Sequence, residues 1–281
     1  MCPVLTNRDK VSRDVALLEF CVYIGCMDIT IKSLLMQELA KRQTRNSSYS
    51  LRAFARDLGV GSTTLSDVMG ERRSLSKTNL EKVMERLLLS PLERELLWAE
   101  YRQGSTKIEI DKDLLLKEDT FRMISDWYYM AIMNLAQIPT NKAHPQWIAK
   151  RLGIKEAEAE DALERLFRLE LLKKSRNRLV RTTKPILLKD VPSAAIRKYH
   201  NQNLHLAEQS LHRDSIDTRL FNSMTMAVNP KKIPEVTDIL LKTRKKIEDL
   251  LQDGPLSEVY TLSFLLFPLT KLENSAEEQN V

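Results

Sequence analysis

Most apolar positions of this chain recur at helical spacing. Ile29, Ile31, Leu34, Leu35 and Leu39 line one face of a helix ending near Lys41. Two short helical segments follow, Leu51–Leu58 and Ser62–Met69. Ser76 is placed to N-cap a helix whose Leu80, Val83, Met84, Leu87 and Leu88 form an i, i+3, i+4, i+7, i+8 stripe. Ser90, Pro91 and Glu93 then make a capping box with proline at the first helical position. The helix they open carries Leu92, Leu96 and Leu97 and stops near Gly104. Five helices between residues 27 and 103 predict a compact all-α domain. Residues 104–118 break the period and read as a linker, with a short strand expected at Ile108 and Ile110.

A second helical block opens at Asp119, where Phe121, Ile124, Tyr128, Ala131, Ile132 and Leu135 form one stripe. Trp127, Tyr129 and Met130 widen it, so this helix is expected to be buried on most sides. Two more helices follow Pro145, then a basic segment from Lys173 to Lys189. A helix from Pro192 to about His212 leads into a strand at 223–228, a helix at 234–251 and a strand at 259–269. The expected fold is mainly α with a small α+β part. Its parts are a five-helix domain at 27–103, a middle module at 119–190, and a 191–270 region of one helix plus a β–α–β element for regulation or dimerisation. Residues 1–26 read as a leader, either a flexible arm or an over-extended start, and the polar 271–281 as a disordered tail.

Composition narrows the function. Only 7 glycines occur in 281 residues, and neither GxGxxG nor GxxxxGK[ST] is present, which disfavours dinucleotide-binding and P-loop enzymes. No apolar run of membrane-spanning length occurs and no secretory signal is visible, so a cytoplasmic protein without a membrane partner is expected. Cys2, Cys21 and Cys26 all precede Met27, and their lone C-x4-C is too poor for a zinc site. The net charge of +6 is mildly basic.

The sharpest pattern is LRAFARDLGVGSTTLSDVMG at 51–70. A helix-turn-helix needs a small residue where its helices touch, here Ala55, and one free to take positive φ in the turn, here Gly59. Phe54, Leu58, Val60, Leu65 and Val68 occupy the apolar packing positions. The second helix would lie in a DNA major groove with Ser62, Thr63, Ser66 and Asp67 outward. Those side chains lack the bidentate donors that read bases strongly, so phosphate contacts would carry most of the register. Lys41, Arg42, Arg45, Arg52, Arg56, Arg72, Arg73 and Lys77 are available for them. Against Asp57, Asp67 and Glu71, these eight bases leave a net +5 between residues 41 and 77. That is the electrostatic footprint expected of a DNA-binding surface, and the alternative is a merely solvated basic face.

A fainter echo stands at 146–154, QWIAKRLGI, where Ala149 and Gly153 repeat the spacing among Ile148, Leu152 and Ile154. With the next helix and the basic stretch it reads as a winged-helix module. Its recognition position, however, carries Glu156, Glu158, Glu160, Asp161, Glu164 and Glu170 against Lys155, Arg165 and Arg168, a net −3. Phosphate would repel such a helix, so the module is expected to be structural or protein-contacting. Its wing, with Lys173, Lys174, Arg176, Arg178, Arg181 and Lys184, could still touch a phosphate backbone.

Four stretches together resemble a known family: YSLRAFARDLG at 49–59, GERRSLS at 70–76, DWYY at 126–129 and VYTLSFLLFPLT at 259–270. The chain is similar to bacterial conserved hypothetical proteins that join an N-terminal lambda-repressor-like helix-turn-helix to an uncharacterised C-terminal domain. The resemblance covers most of Met27 to Lys271 and implies a transcriptional regulator with no known ligand. The leader departs from it.

The expected function is a DNA-binding, homodimeric transcriptional regulator acting on double-stranded DNA, its effector unassigned. Its DNA-facing residues would be Arg52, Arg56, Ser62, Thr63, Ser66, Asp67, Arg72, Arg73 and Lys77. No cofactor, metal or catalytic residue is expected: His200, His205 and His212 share a helix without zinc spacing, and GxSxG and HExxH are absent. The alternative is a protein-interaction adaptor whose helix-turn-helix serves packing only.

Overall fold

A computed structural model describes residues 30–104, 108, 110–183 and 193–270. The expectations for the leader, the tail, Lys184 and Lys189 lie outside the described residues. The chain is mainly helical with one small sheet.

The first domain is built from α1 (Ile31–Arg45), α2 (Leu51–Leu58), α3 (Ser62–Met69), α4 (Lys77–Arg86) and α5 (Pro91–Gln103). Small polar residues set their starts. Thr30, Ser50, Ser76 and Ser90 each accept a hydrogen bond from the backbone N–H three residues on, satisfying a donor the helix leaves open. Glu100 on α5 reaches back to accept the Ile31 N–H at 2.8 Å, tying the first helix to the last. Burial raises the Glu100 carboxyl above its usual range, and that hydrogen bond works against the rise. Helix α1 continues one turn past Lys41 to Arg45. Leu35, Phe54, Leu58, Leu65, Val83, Met84 and Leu97 close the first core.

The expected linker is shorter than 104–118. Asp111 caps a helix, α6, that runs Lys112–Ser125, and Ile108 and Ile110 form no strand. The single long helix expected from Asp119 is two helices, α6 and α7 (Trp127–Leu135). Asp126 sits between them in extended backbone (φ −101, ψ 116). Its carboxylate lies 3.0 Å from Lys198 and accepts from Gln202, and Gln202 in turn accepts the Trp127 N–H. Hydrophobic periodicity runs through such a break, because the partners that fix it come from a helix more than seventy residues away.

Helices α8 (Pro145–Leu152) and α9 (Glu156–Arg168) lead into the antiparallel hairpin β1 (Leu172–Ser175) and β2 (Arg178–Arg181), giving the winged arrangement. Asn141 locks the wing. Its buried amide donates to the Ala136 and Ile138 carbonyls while its oxygen accepts the Leu179 N–H of β2. Phe121, Tyr129, Ile132, Ile148, Leu163, Leu166 and Leu179 form the second core, onto which α10 (Ser193–Arg213) packs through Ala194 and Ala195.

Beyond α10 a short 3-10 turn at Pro230–Lys232 precedes α11 (Ile233–Leu251), as the spacing predicts. The strands of the expected β–α–β element are not formed. Residues 223–228 and 259–269 form no strand, and the one sheet among the described residues is β1–β2. A strand exists only through its ladder partner, which local alternation cannot supply. No helix among the described residues is long and apolar enough to cross a membrane.

Candidate nucleic-acid interface

Helices α2 and α3 are joined by Gly59, Val60 and Gly61. Ala55 is buried where the helices meet, and Gly59 takes φ 70 in the turn. The Val60 N–H reaches back to the Ala55 carbonyl at 3.0 Å, closing the helix end in the way a left-handed residue permits. Phe54, Leu58, Leu65 and Val68 are buried and Val60 is half-buried, so every packing position read from the sequence faces inward.

The outward surface is more selective than the sequence suggests. Ser62 and Thr63 are exposed at the start of α3, but Ser66 and Asp67 are only half-exposed. Asp67 accepts both Nε and Nη2 of Arg72, at 3.1 and 2.9 Å, and its carbonyl accepts the Arg72 N–H at 2.9 Å. The pair staples the turn after α3, where Glu71 has φ 57, and Lys32 reaches Glu71 at 2.9 Å. Asp67 and Arg72 therefore serve each other before any ligand.

Arg42 likewise belongs to the scaffold. Its guanidinium lies over the Phe54 ring, 5.0 Å from the centroid, and donates to Glu38, Tyr49 and Asp57. The Tyr49 hydroxyl in turn donates to Asp57. Burial disfavours the Arg42 charge, but the hydrogen bonds to Tyr49 and Glu38 outweigh it and hold its pKa above the ordinary value. Arg42 is thus tied to its own fold and not free for the phosphate contact expected of it; side-chain ties across fifteen residues leave no local signal in the sequence.

Arg52 on α2, with Arg73 and Lys77 beyond α3, remain exposed and make no ion pair among the described residues; Arg56 is 80% exposed with only a 4.0 Å approach to Asp57. With exposed Lys41 and Arg45 they make six exposed cations on the helices and turns that flank α3 in the chain.

The second helix-turn-helix repeats the local geometry. Gly153 has φ 68 and the Ile154 N–H returns to the Ala149 carbonyl at 3.2 Å. The helix at its recognition position, α9, exposes Glu156 and Glu160. Glu158 caps the helix by accepting the Lys155 N–H, and Asp161 turns inward to Arg165 and the Tyr129 hydroxyl. Arg165 and Arg168 both bind the fully buried Asp119 of α6, at 2.8 and 2.6 Å. Burial opposes the Arg165 charge, and Asp161, Tyr129 and Asp119 hold it raised nonetheless. Lys173, Lys174, Arg176, Arg178 and Arg181 are exposed on the wing.

On α10, His205 contacts Glu208 and Gln209 of its own helix in a shallow, solvent-open depression with His212 and Arg213. Among the described residues no group of three or more His, Cys, Asp or Glu is placed to hold a metal ion.

No curated protein and no solved structure matches the chain. Residues 109–269 match the family described as a domain of unknown function, DUF4423, a stretch that begins after the first helix-turn-helix and takes in the winged module and the C-terminal region. The match covers more than half of the chain, which therefore belongs to the DUF4423 family.

Proposed function

We propose that this chain is a DNA-binding transcriptional regulator, cytoplasmic, homodimeric and without catalytic activity, that seats α3 in the major groove of double-stranded DNA. The observation that carries the reading is that Arg52, Arg73 and Lys77, from the segments flanking α3, are exposed and make no ion pair among the described residues, while Ser62 and Thr63 are exposed at the start of α3. Helix α3 is short and apolar on its inner side, so only its first turn and its flanks can face a duplex. Phosphate contact then dominates affinity, and sequence discrimination rests on hydroxyls.

The test is duplex binding by the full chain across a salt series. Replacing Arg52, Arg73 and Lys77 by Ala should weaken binding to every sequence and flatten the slope of log K against log salt by about one unit per lost phosphate contact. Unchanged affinity and slope would remove the reading and leave the packing role of an interaction adaptor.

A further inference from the structure

The segment from Arg219 to Thr270 carries the hydrophobic parts of a small domain and buries few of them. Of the 25 exposed large apolar side chains among the described residues, 18 lie from Ile216 on. Residues 220–228 place Leu220, Asn222, Met224, Met226 and Val228 on one face and Phe221, Ser223, Thr225 and Ala227 on the other. Residues 259–267 set Tyr260, Leu262, Phe264 and Leu266 on one face. The period of a half-buried strand holds over 223–228 and 260–264. Between them, α11 presents Ile233, Val236, Leu240, Ile247 and Leu250 at helical spacing, none of them buried. Neither run has a backbone ladder among the described residues. Among the described residues the arm is fastened near residues 256–259. Leu256 and Val259 pack on the second core, and Arg151 donates to the Ser257 carbonyl and to Glu258.

We propose that this arm is one half of an interface completed by a second copy of the chain, the extended runs of two arms pairing into one intermolecular sheet covered by the two α11 helices. Three observations select that occupant. The runs 220–228 and 259–269 contain no charged residue, so they offer nothing to phosphate or to a charged peptide, and no like charges oppose their self-association. What each arm lacks, ladder partners and an apolar covering for its helix, is what an identical arm supplies; a two-fold pairing satisfies both at once. The 18 exposed large apolar side chains from Ile216 on also approach in number the roughly 20–30 residues that one side of a standard interface of ~800 Å² per partner contains.

This deepens the homodimer of the proposed regulator and does not rest on DNA binding. Its test uses the full chain without DNA, so its failure and that of the DNA reading are separable. In sedimentation the native chain should be a dimer. Amides of 220–228 and 259–267 should exchange slowly at high concentration and faster on dilution. Replacing Leu262 and Phe264 by Asp should weaken the dimer about 30-fold or more while leaving the helical signal of the two cores in place. A native chain that stays monomeric would overturn the proposal. So would a dimer whose arm amides exchange freely, a result that stands even if the Asp variant fails to fold. A double variant that dimerises like the native chain would overturn it as well.

Discussion

Gly59 meets a demand that no other side chain meets cheaply. Its φ of 70 lets the Val60 N–H return to Ala55, and that return sets the entry of α3. A methyl group at this position would touch nothing within 4 Å, so the cost of Gly59→Ala is purely conformational, about 1–2 kcal/mol. Chemical denaturation checks it; a loss well beyond that would mean the turn packs more tightly than its open surroundings suggest. Asp119 is the opposite case. It is fully buried between Arg165 and Arg168, and Asp119→Ala should cost about 3–5 kcal/mol by leaving the buried Arg165 short of a partner. Ala55 and Gly59 were legible because four residues of spacing state their whole requirement. Asp119 was not, since its partners stand 46 and 49 residues away, and Arg42 was misplaced for the same reason.

At the scale of elements, Ser76, Ser90 and Gly104 announced their helix boundaries because capping is a local contract between a side chain and the next turn. The α6–α7 break escaped notice because its cause is tertiary. Glu118 of α6 accepts the Leu92 N–H at the start of α5, and Arg122 bridges Glu118 at 2.8 Å while lying 3.8 Å from both Glu93 and Asp126. Burial opposes the Arg122 charge, but Glu118, Glu93 and Asp126 overcome it and hold the guanidinium raised. Glu118→Ala should therefore cost about 3 kcal/mol and split calorimetric unfolding into two transitions, one per core. A single sharp transition would show that the cores are coupled elsewhere. The acidic α9 yields a second expectation. With Glu156 and Glu160 exposed in a module whose wing is basic, replacing both by Lys should leave duplex affinity unchanged or raise it. Weakened binding would mean that these carboxylates support the DNA-bound state.

For the whole molecule, the mainly helical class and the order of the two helix-turn-helix units follow from periodicity, while the division into α6 and α7 does not. The C-terminal region divides differently. Its strand-forming chemistry is plain from 223–228 and 259–269, but whether a ladder closes within a chain or between chains is not encoded in alternation, and neither run pairs among the described residues. If two arms close one sheet, dissociation accompanies unfolding, so the midpoint temperature should rise with protein concentration. A concentration-independent midpoint would speak for arms that fold without a partner.

The Glu118 cap on α5 reaches past stability. A helix end held from the other half of the molecule by a buried carboxylate fixes the angle at which the first domain leaves the body. In a dimer of such chains the two α3 helices would sit on a frame and not on tethers. Operators would then be measured by phase: one added base pair between half-sites turns the second by roughly a tenth of a helical turn, and a frame cannot follow. Such a regulator would judge its sites as much by the spacing between them as by the bases within them.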